Sequence, residues 1–197
     1  MKKKFLKKER YWYNLIMIKS AYSFATQKEK NENHIIVVWV DNESGVLARV
    51  VGLFSGRGYN IDSLAVAEVD KKKNISRITI STSGTQQVLQ QIKLQLGKLV
   101  PVHKVADFPA NKETLLREMV LIKIVSPKTQ LEKAKKLCKK YRYAVIDKTN
   151  KSYVFEVSAL KREIDQLLKK LQPLGLASVS RTGVVAMTKG SEIFKQN

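Results

Sequence analysis

The segment "DNESGVLARVVGLFSGRGYNIDSLAV" (residues 41–66) holds groups able to grip a small charged molecule: amide side chains at Asn42 and Asn60, and a backbone bared by glycine at Gly45. A helix opening at Gly45 offers unpaired N–H groups that no side chain obstructs, and its dipole favours an anion. A carboxylate fits there. Asn42 can both donate and accept, as a ligand with neighbouring ammonium and carboxylate groups requires. The same residues also suit an ordinary turn, with Ser44 as the N-cap of the helix.

Other chemistry has few candidates. In "GRGYNI" the glycines Gly56 and Gly58 follow a helix instead of a strand, and Ile61 stands where a third glycine belongs, so it is not a dinucleotide fingerprint. There is no G-x-x-x-x-G-K-S/T loop, and His34 and His103 are isolated, so a metal site is not expected. Cys138 is the single cysteine, which excludes an internal disulfide; it shares helical spacing with Leu131, Ala134, Leu137 and Tyr141, the pattern of a core thiol.

The elements around these residues follow from periodicity. "HIIVVWV" (His34–Val40) is a β-branched run that reads as a buried strand. Val46, Leu47, Val50, Val51, Leu53 and Phe54 then recur on one helical face, and Gly56 and Gly58 can end that helix. "NIDSLAVAEV" (Asn60–Val69) and "ISRITIST" (Ile75–Thr82) form a hairpin around the turn "DKKKN", a helix covers Gln86–Leu96, and a fourth strand covers Val100–Phe108. The order is βαββαβ, one ferredoxin-like unit.

The same order recurs after a linker at 109–118. A strand is expected over Met119–Val125, a helix over Leu131–Tyr141, strands over Ala144–Lys148 and Tyr153–Val157, a helix over Leu160–Leu171, and a last strand across Ala177–Met187. The fold class is therefore α+β, two βαββαβ domains in tandem at 34–108 and 119–197, with a basic, poorly ordered extension at 1–33.

The bulk numbers fit a folded chain: 197 residues, 44% hydrophobic, 4 prolines and 9 glycines. Net charge is +20, distributed as +6 over 1–33, +3 over 34–111 and +11 over 112–197. Lysine outnumbers arginine 29 to 8, which an A/T-rich coding bias explains as well as anion binding does. RNA-recognition domains share this fold order but stack bases on aromatics in their central strands. "ISRITIST" has none and the first strand offers only Trp39, so nucleic acid is not the expected partner. No apolar run reaches eighteen residues, so no membrane-crossing helix is expected.

Over residues 34–194 the sequence resembles the regulatory small subunit of acetolactate synthase, also called acetohydroxyacid synthase. The resemblance is carried by "NESGVLARVVGLFSGRGYNIDSLAVAEV", "SRITISTSG", "REMVLIKI" and "SRTGVVAMTKG". It implies that the first domain is an ACT domain, the ligand-sensing form of the ferredoxin-like unit, and that two such domains pair and bind valine at their interface. Asn42 and the Gly45 backbone match positions that hold the amino acid from one subunit, with Ser44 beside them and Val46 and Leu47 as apolar wall. Asn60, next to Ile61, matches the position reaching in from the partner, and Val66 and Ala67 lie near the ligand's side chain. The chain is then not an enzyme by itself but a subunit that activates the catalytic large subunit in branched-chain amino acid biosynthesis and confers feedback inhibition by valine. Thiamine diphosphate, magnesium and FAD belong to that partner, and no cofactor is expected here.

Two features depart from the family. Bacterial members generally lack the first 33 residues, and the lysine load includes Lys71–Lys73 in the hairpin turn. The extension and the coding bias point to a plastid, the chloroplast stroma, with bacterial cytoplasm as the alternative compartment. Another ACT-type amino-acid sensor, or an RNA-binding ferredoxin-like protein, is the alternative function.

Overall fold

A computed structural model describes residues 32–108 and 114–191. Residues 1–31 of the extension read at 1–33, residues 109–113 of the linker and residues 192–197 lie outside them, while Glu32 and Asn33 open the first strand. Two ferredoxin-like units follow one another, as the periodicity implies. In the first, β1 (Glu32–Asp41), α1 (Val46–Ser55), β2 (Ser63–Asp70), β3 (Ile75–Gly84), α2 (Gln86–Leu96) and β4 (Val102–Phe108) build an antiparallel sheet in the order β2-β3-β1-β4. In the second, β5 (Thr114–Val125), α3 (Lys128–Cys138), β6 (Arg142–Lys148), β7 (Ser152–Ala159), α4 (Lys161–Leu171) and β8 (Leu176–Arg181) give the order β6-β7-β5-β8, and β9 (Val185–Thr188) also pairs with β5.

The uninterrupted apolar run of β1 has a physical cause, for Ile35 to Val38 are all buried because both faces of the first sheet are covered. Ile36, Val38 and Val40 pack with Val46, Val50, Phe54, Leu89 and Ile92 beneath α1 and α2. Ile35 and Val37 face the other way, onto Val184 and Ala186. In the second unit Val120, Ile122 and Ile124 form one core with Leu131, Ala134, Phe155, Ile164 and Leu167.

Several boundaries differ from the expectations. β5 begins at Thr114, inside the stretch read as a linker, because Thr114–Arg117 pairs with Thr188–Val185. The last strand is two, β8 and β9, separated by Gly183 at φ +79°, a turn that strand periodicity conceals. α3 starts at Lys128, directly after Pro127, and ends at Cys138 instead of Tyr141. The N-cap of α1 is Gly45, not Ser44, and no side chain caps it.

Candidate ligand site

Gly45 adopts φ +83°, a left-handed conformation that side-chain-bearing residues enter only at a cost, and this explains the glycine. Crowding within the chain does not, since a Cβ placed there meets nothing within 4 Å. The helix mouth is open. The first α-helical bond runs from the Arg49 amide to the Gly45 carbonyl (3.0 Å), and the Val46 amide reaches Glu43 O at 3.3 Å. The Leu47 and Ala48 amides have no backbone acceptor among the described residues, and no acidic side chain occupies the first turn. These are the groups an anion can satisfy.

Asn42 is exposed and held from two sides. Its amide donates to Asn74 O (2.7 Å), and Asn74 Nδ2 donates back to the Asn42 carbonyl at 3.3 Å. Ser76 Oγ donates to Asn42 Oδ1 at 3.0 Å. Ser76 fixes the amide through one lone pair of Oδ1, leaving Nδ2 to donate and a second lone pair of Oδ1 to accept, as the sequence reading requires. Asn74 and Ser76 are neighbours of the candidate site that the sequence reading missed. Asn74 carried a signal: φ +53° in a turn is a conformation asparagine tolerates well. Ser76 carried none, being one serine in a strand of them.

Asn60 lies elsewhere. Its Nδ2 donates to Asp62 Oδ1 (2.7 Å), its carbonyl accepts from Thr82 Oγ1 (2.6 Å), and Ser83 Oγ braces Asp62 Oδ2 at 2.8 Å. Asn42 sits beside the Ile75 end of β3 and Asn60 beside the Ser81 end, because Asp41 pairs with Ile75 and Ser63 with Ser81. Six strand steps separate them, roughly 20 Å at about 3.3 Å each. Within one chain the two asparagines cannot share a ligand.

Val66 and Ala67 lie across from Ile78 and Arg77 on β2, the edge strand, and Val66 is 44% exposed. They stand at mid-strand, Val66 as far from the Ile75 end of β3 as from the Ser81 end, because Val66 pairs with Ile78 and Ala67 with Arg77. Ser44 is exposed at the helix mouth and Leu47 is 40% exposed beside it, while Val46 is buried in the core and Ile61 packs against that core. Thus Asn42, Ser44, Gly45 and Leu47 gather at one end of the sheet, with Val66 and Ala67 midway along its edge strand. Asn60 and Ile61 do not join them.

Tandem ferredoxin-like units with an open helix mouth at a bare sheet edge define a two-domain ACT protein, and the family described as "AHAS small subunit-like ACT domain" matches residues 36–104. The family described as "Small subunit of acetolactate synthase" matches residues 117–190. The isozyme 3 small subunit of acetolactate synthase from Salmonella typhimurium is 38% identical over 162 residues, covering 82% of this chain and 98% of its own length. The acetolactate synthase small subunit of Aquifex aeolicus is 36% identical over 171 residues, covering 86% and 88%. Among solved structures, the acetolactate synthase small subunit of Thermotoga maritima superposes with a TM-score of 0.74 at 30% identity, covering 82% of this chain and 99% of that one. The chain belongs to the acetolactate synthase small subunit family. In that family the cofactors belong to the large subunit; among the described residues no His, Cys, Asp or Glu cluster is placed to hold a metal ion. No helix of the described residues is long and apolar enough to cross a membrane.

Proposed function

We propose that this chain is the non-catalytic regulatory subunit of an acetolactate synthase, that it raises the activity of the catalytic large subunit, and that it imposes feedback inhibition by valine bound between two ACT domains. The observation that carries the reading is the uncapped mouth of α1 beside Asn42, where Asn42 Nδ2 and the Leu47 and Ala48 amides are donors without an acceptor among the described residues. A carboxylate there gains charge-assisted hydrogen bonds and the helix dipole together. Val66 and Leu47 supply apolar wall for a branched side chain.

The second half of the site comes from symmetry. β2 is an exposed edge whose apolar residues Val66 and Val69 are 44% and 52% exposed, the kind of edge that pairs with another strand. Antiparallel pairing of two β2 strands about their midpoint, between Val66 and Ala67, sets Ser63 of one chain opposite Asp70 of the other, so that position 60, three residues before Ser63, falls beside the partner's 71–74 turn. Asn42 is tied to Asn74, the last residue of that turn. Such a pairing brings the partner's Asn60 toward the helix mouth that its own chain cannot reach.

Selectivity for valine over leucine or isoleucine is modest on this basis, because one methylene is worth about 1–3 kcal/mol. The relatives named above are bacterial, which supports bacterial cytoplasm as the compartment and adds nothing for a plastid. The test is co-purification with the native catalytic subunit, scored for pyruvate condensation with and without valine. Stimulation by this chain and its reversal by valine are expected. Valine binding without engagement of a catalytic subunit would point to a different ACT sensor.

A further inference from the structure

β5 belongs to both domains. Its first four residues pair with β9, forming a two-stranded ribbon, and its remaining residues are the central strand of the second sheet, flanked by β7 and β8. The ribbon covers the face of the ACT sheet opposite α1 and α2, where Val184 and Ala186 are buried against Ile35, Val37 and Phe108, with Leu116 and Trp39 at the margin.

Two polar ties join ribbon and sheet. Arg77 of β3 lies over the Trp39 ring, 5.2 Å from its centroid, and donates from Nη2 to the Ala186 carbonyl of β9. Ser63, at the start of β2, faces Gly183, whose missing Cβ would stand 3.2 Å from Ser63 Cβ; Ser63 Oγ lies 3.5 Å from the Val184 amide. Both ties touch the proposed valine site. Arg77 is the cross-strand partner of Ala67, and Ser63 is three residues from Asn60 and next to its hydrogen-bond partner Asp62.

Arg77 is a poor choice for packing alone. Its Nε is buried without a hydrogen-bond partner, and burial lowers its pKa from the ordinary arginine value. An apolar side chain fills such a joint without that desolvation cost. Beside the Ser63 tie a cavity of about 360 Å³ opens between Asp62, Leu64, Lys161 and Arg181, so the two domains have room to shift there.

The geometry points to Arg77 as the positioning residue that passes occupancy of the ACT site to the β5–β9 ribbon, and through the unbroken β5 strand to the C-terminal sheet. This rests on the valine-regulated reading above. Binding of valine at the edge strand shifts β2 and β3, Arg77 and Ser63 carry that shift to β9 and Gly183, and the C-terminal domain changes its orientation toward the partner enzyme.

The test uses the full-length chain reconstituted with its catalytic subunit. Arg77→Leu is expected to keep valine affinity by calorimetry within about threefold and to keep stimulation without valine, while inhibition at saturating valine falls at least about fivefold, the lower range of allosteric coupling. Arg77→Lys, which retains a charge over Trp39, is expected to restore at least half of the inhibition. Inhibition of the Arg77→Leu holoenzyme as deep as that of the parent overturns the proposal. If Arg77→Leu does not fold, hydrogen exchange on the unmodified protein decides: valine alters exchange at the amides of residues 184–188 more than about twofold, or the proposal fails. A parent holoenzyme that valine neither binds nor inhibits removes the regulatory reading itself, a result separable from failure of the variant alone.

Discussion

Gly45→Asp tests the helix mouth with little confounding damage. The left-handed backbone costs a side-chain-bearing residue about 1–2 kcal/mol, with aspartate toward the low end. Against this, a negative charge at the first turn of α1 returns about 0.3–1 kcal/mol through the dipole. The new Cβ itself meets nothing within 4 Å. Net stability by urea unfolding is therefore expected to change by less than about 1 kcal/mol. Binding fares differently. The added carboxylate occupies the place of the ligand's carboxylate and removes access to two backbone donors, each worth about 1.5–3 kcal/mol to a charged acceptor. The valine Kd rises at least about a hundredfold, the equivalent of about 2.8 kcal/mol. Calorimetry reads the affinity, and pyruvate condensation by the holoenzyme reads the loss of inhibition with stimulation intact. An affinity within about threefold of the parent would show that no carboxylate sits at this mouth.

Three further outcomes follow from particular contacts. Ser76→Ala frees Asn42 Oδ1 and lets the amide rotate, so valine affinity measured by calorimetry drops about three- to tenfold, near the worth of one hydrogen bond. Arg181→Ala strands Glu118, which is 3% exposed and otherwise held by Arg181 at 2.6 and 2.8 Å; urea unfolding should show a loss of about 3 kcal/mol. Those carboxylate bonds, Glu118 foremost with Asp165 behind it, outweigh desolvation and hold the Arg181 pKa above the ordinary arginine value. Burial pushes the Cys138 thiol up to about 12, so the folded protein keeps it neutral while the unfolded chain ionises it above the usual thiol range near 9. Stability from this group is complete below that range and declines as pH rises toward 12, by up to about 1.4 kcal/mol per pH unit. Cys138→Ala should flatten that decline.

The sequence made the fold legible wherever local pattern and tertiary setting agree. The Ile35–Val40 run reads as a buried strand because both its faces are in fact covered, and α2 begins and ends where its apolar spacing does. It failed where a residue's role depends on a distant segment. Thr114–Arg117 looks like linker until Val185–Thr188 lies beside it, and Gly183 splits one apparent strand because Ser63 of the other domain presses against the turn. At the candidate site, Asn42 and Gly45 stood out through residue type. Ser76 there and Arg77 at the joint between the domains did not, since a strand serine and a strand arginine acquire meaning only from partners 34 and 109 residues away.

The central claim is a site divided between two chains, with the helix mouth of one and Asn60 of the other. Mixing Gly45→Asp protein with Asn60→Ala protein measures this directly, because each parent homodimer has two damaged sites while a mixed dimer has one doubly damaged and one intact. Neither variant alone is expected to bind valine with unmodified affinity, and the refolded mixture is expected to regain about one quarter of the sites at that affinity. A mixture that recovers none would place both residues in one chain's site and contradict the account.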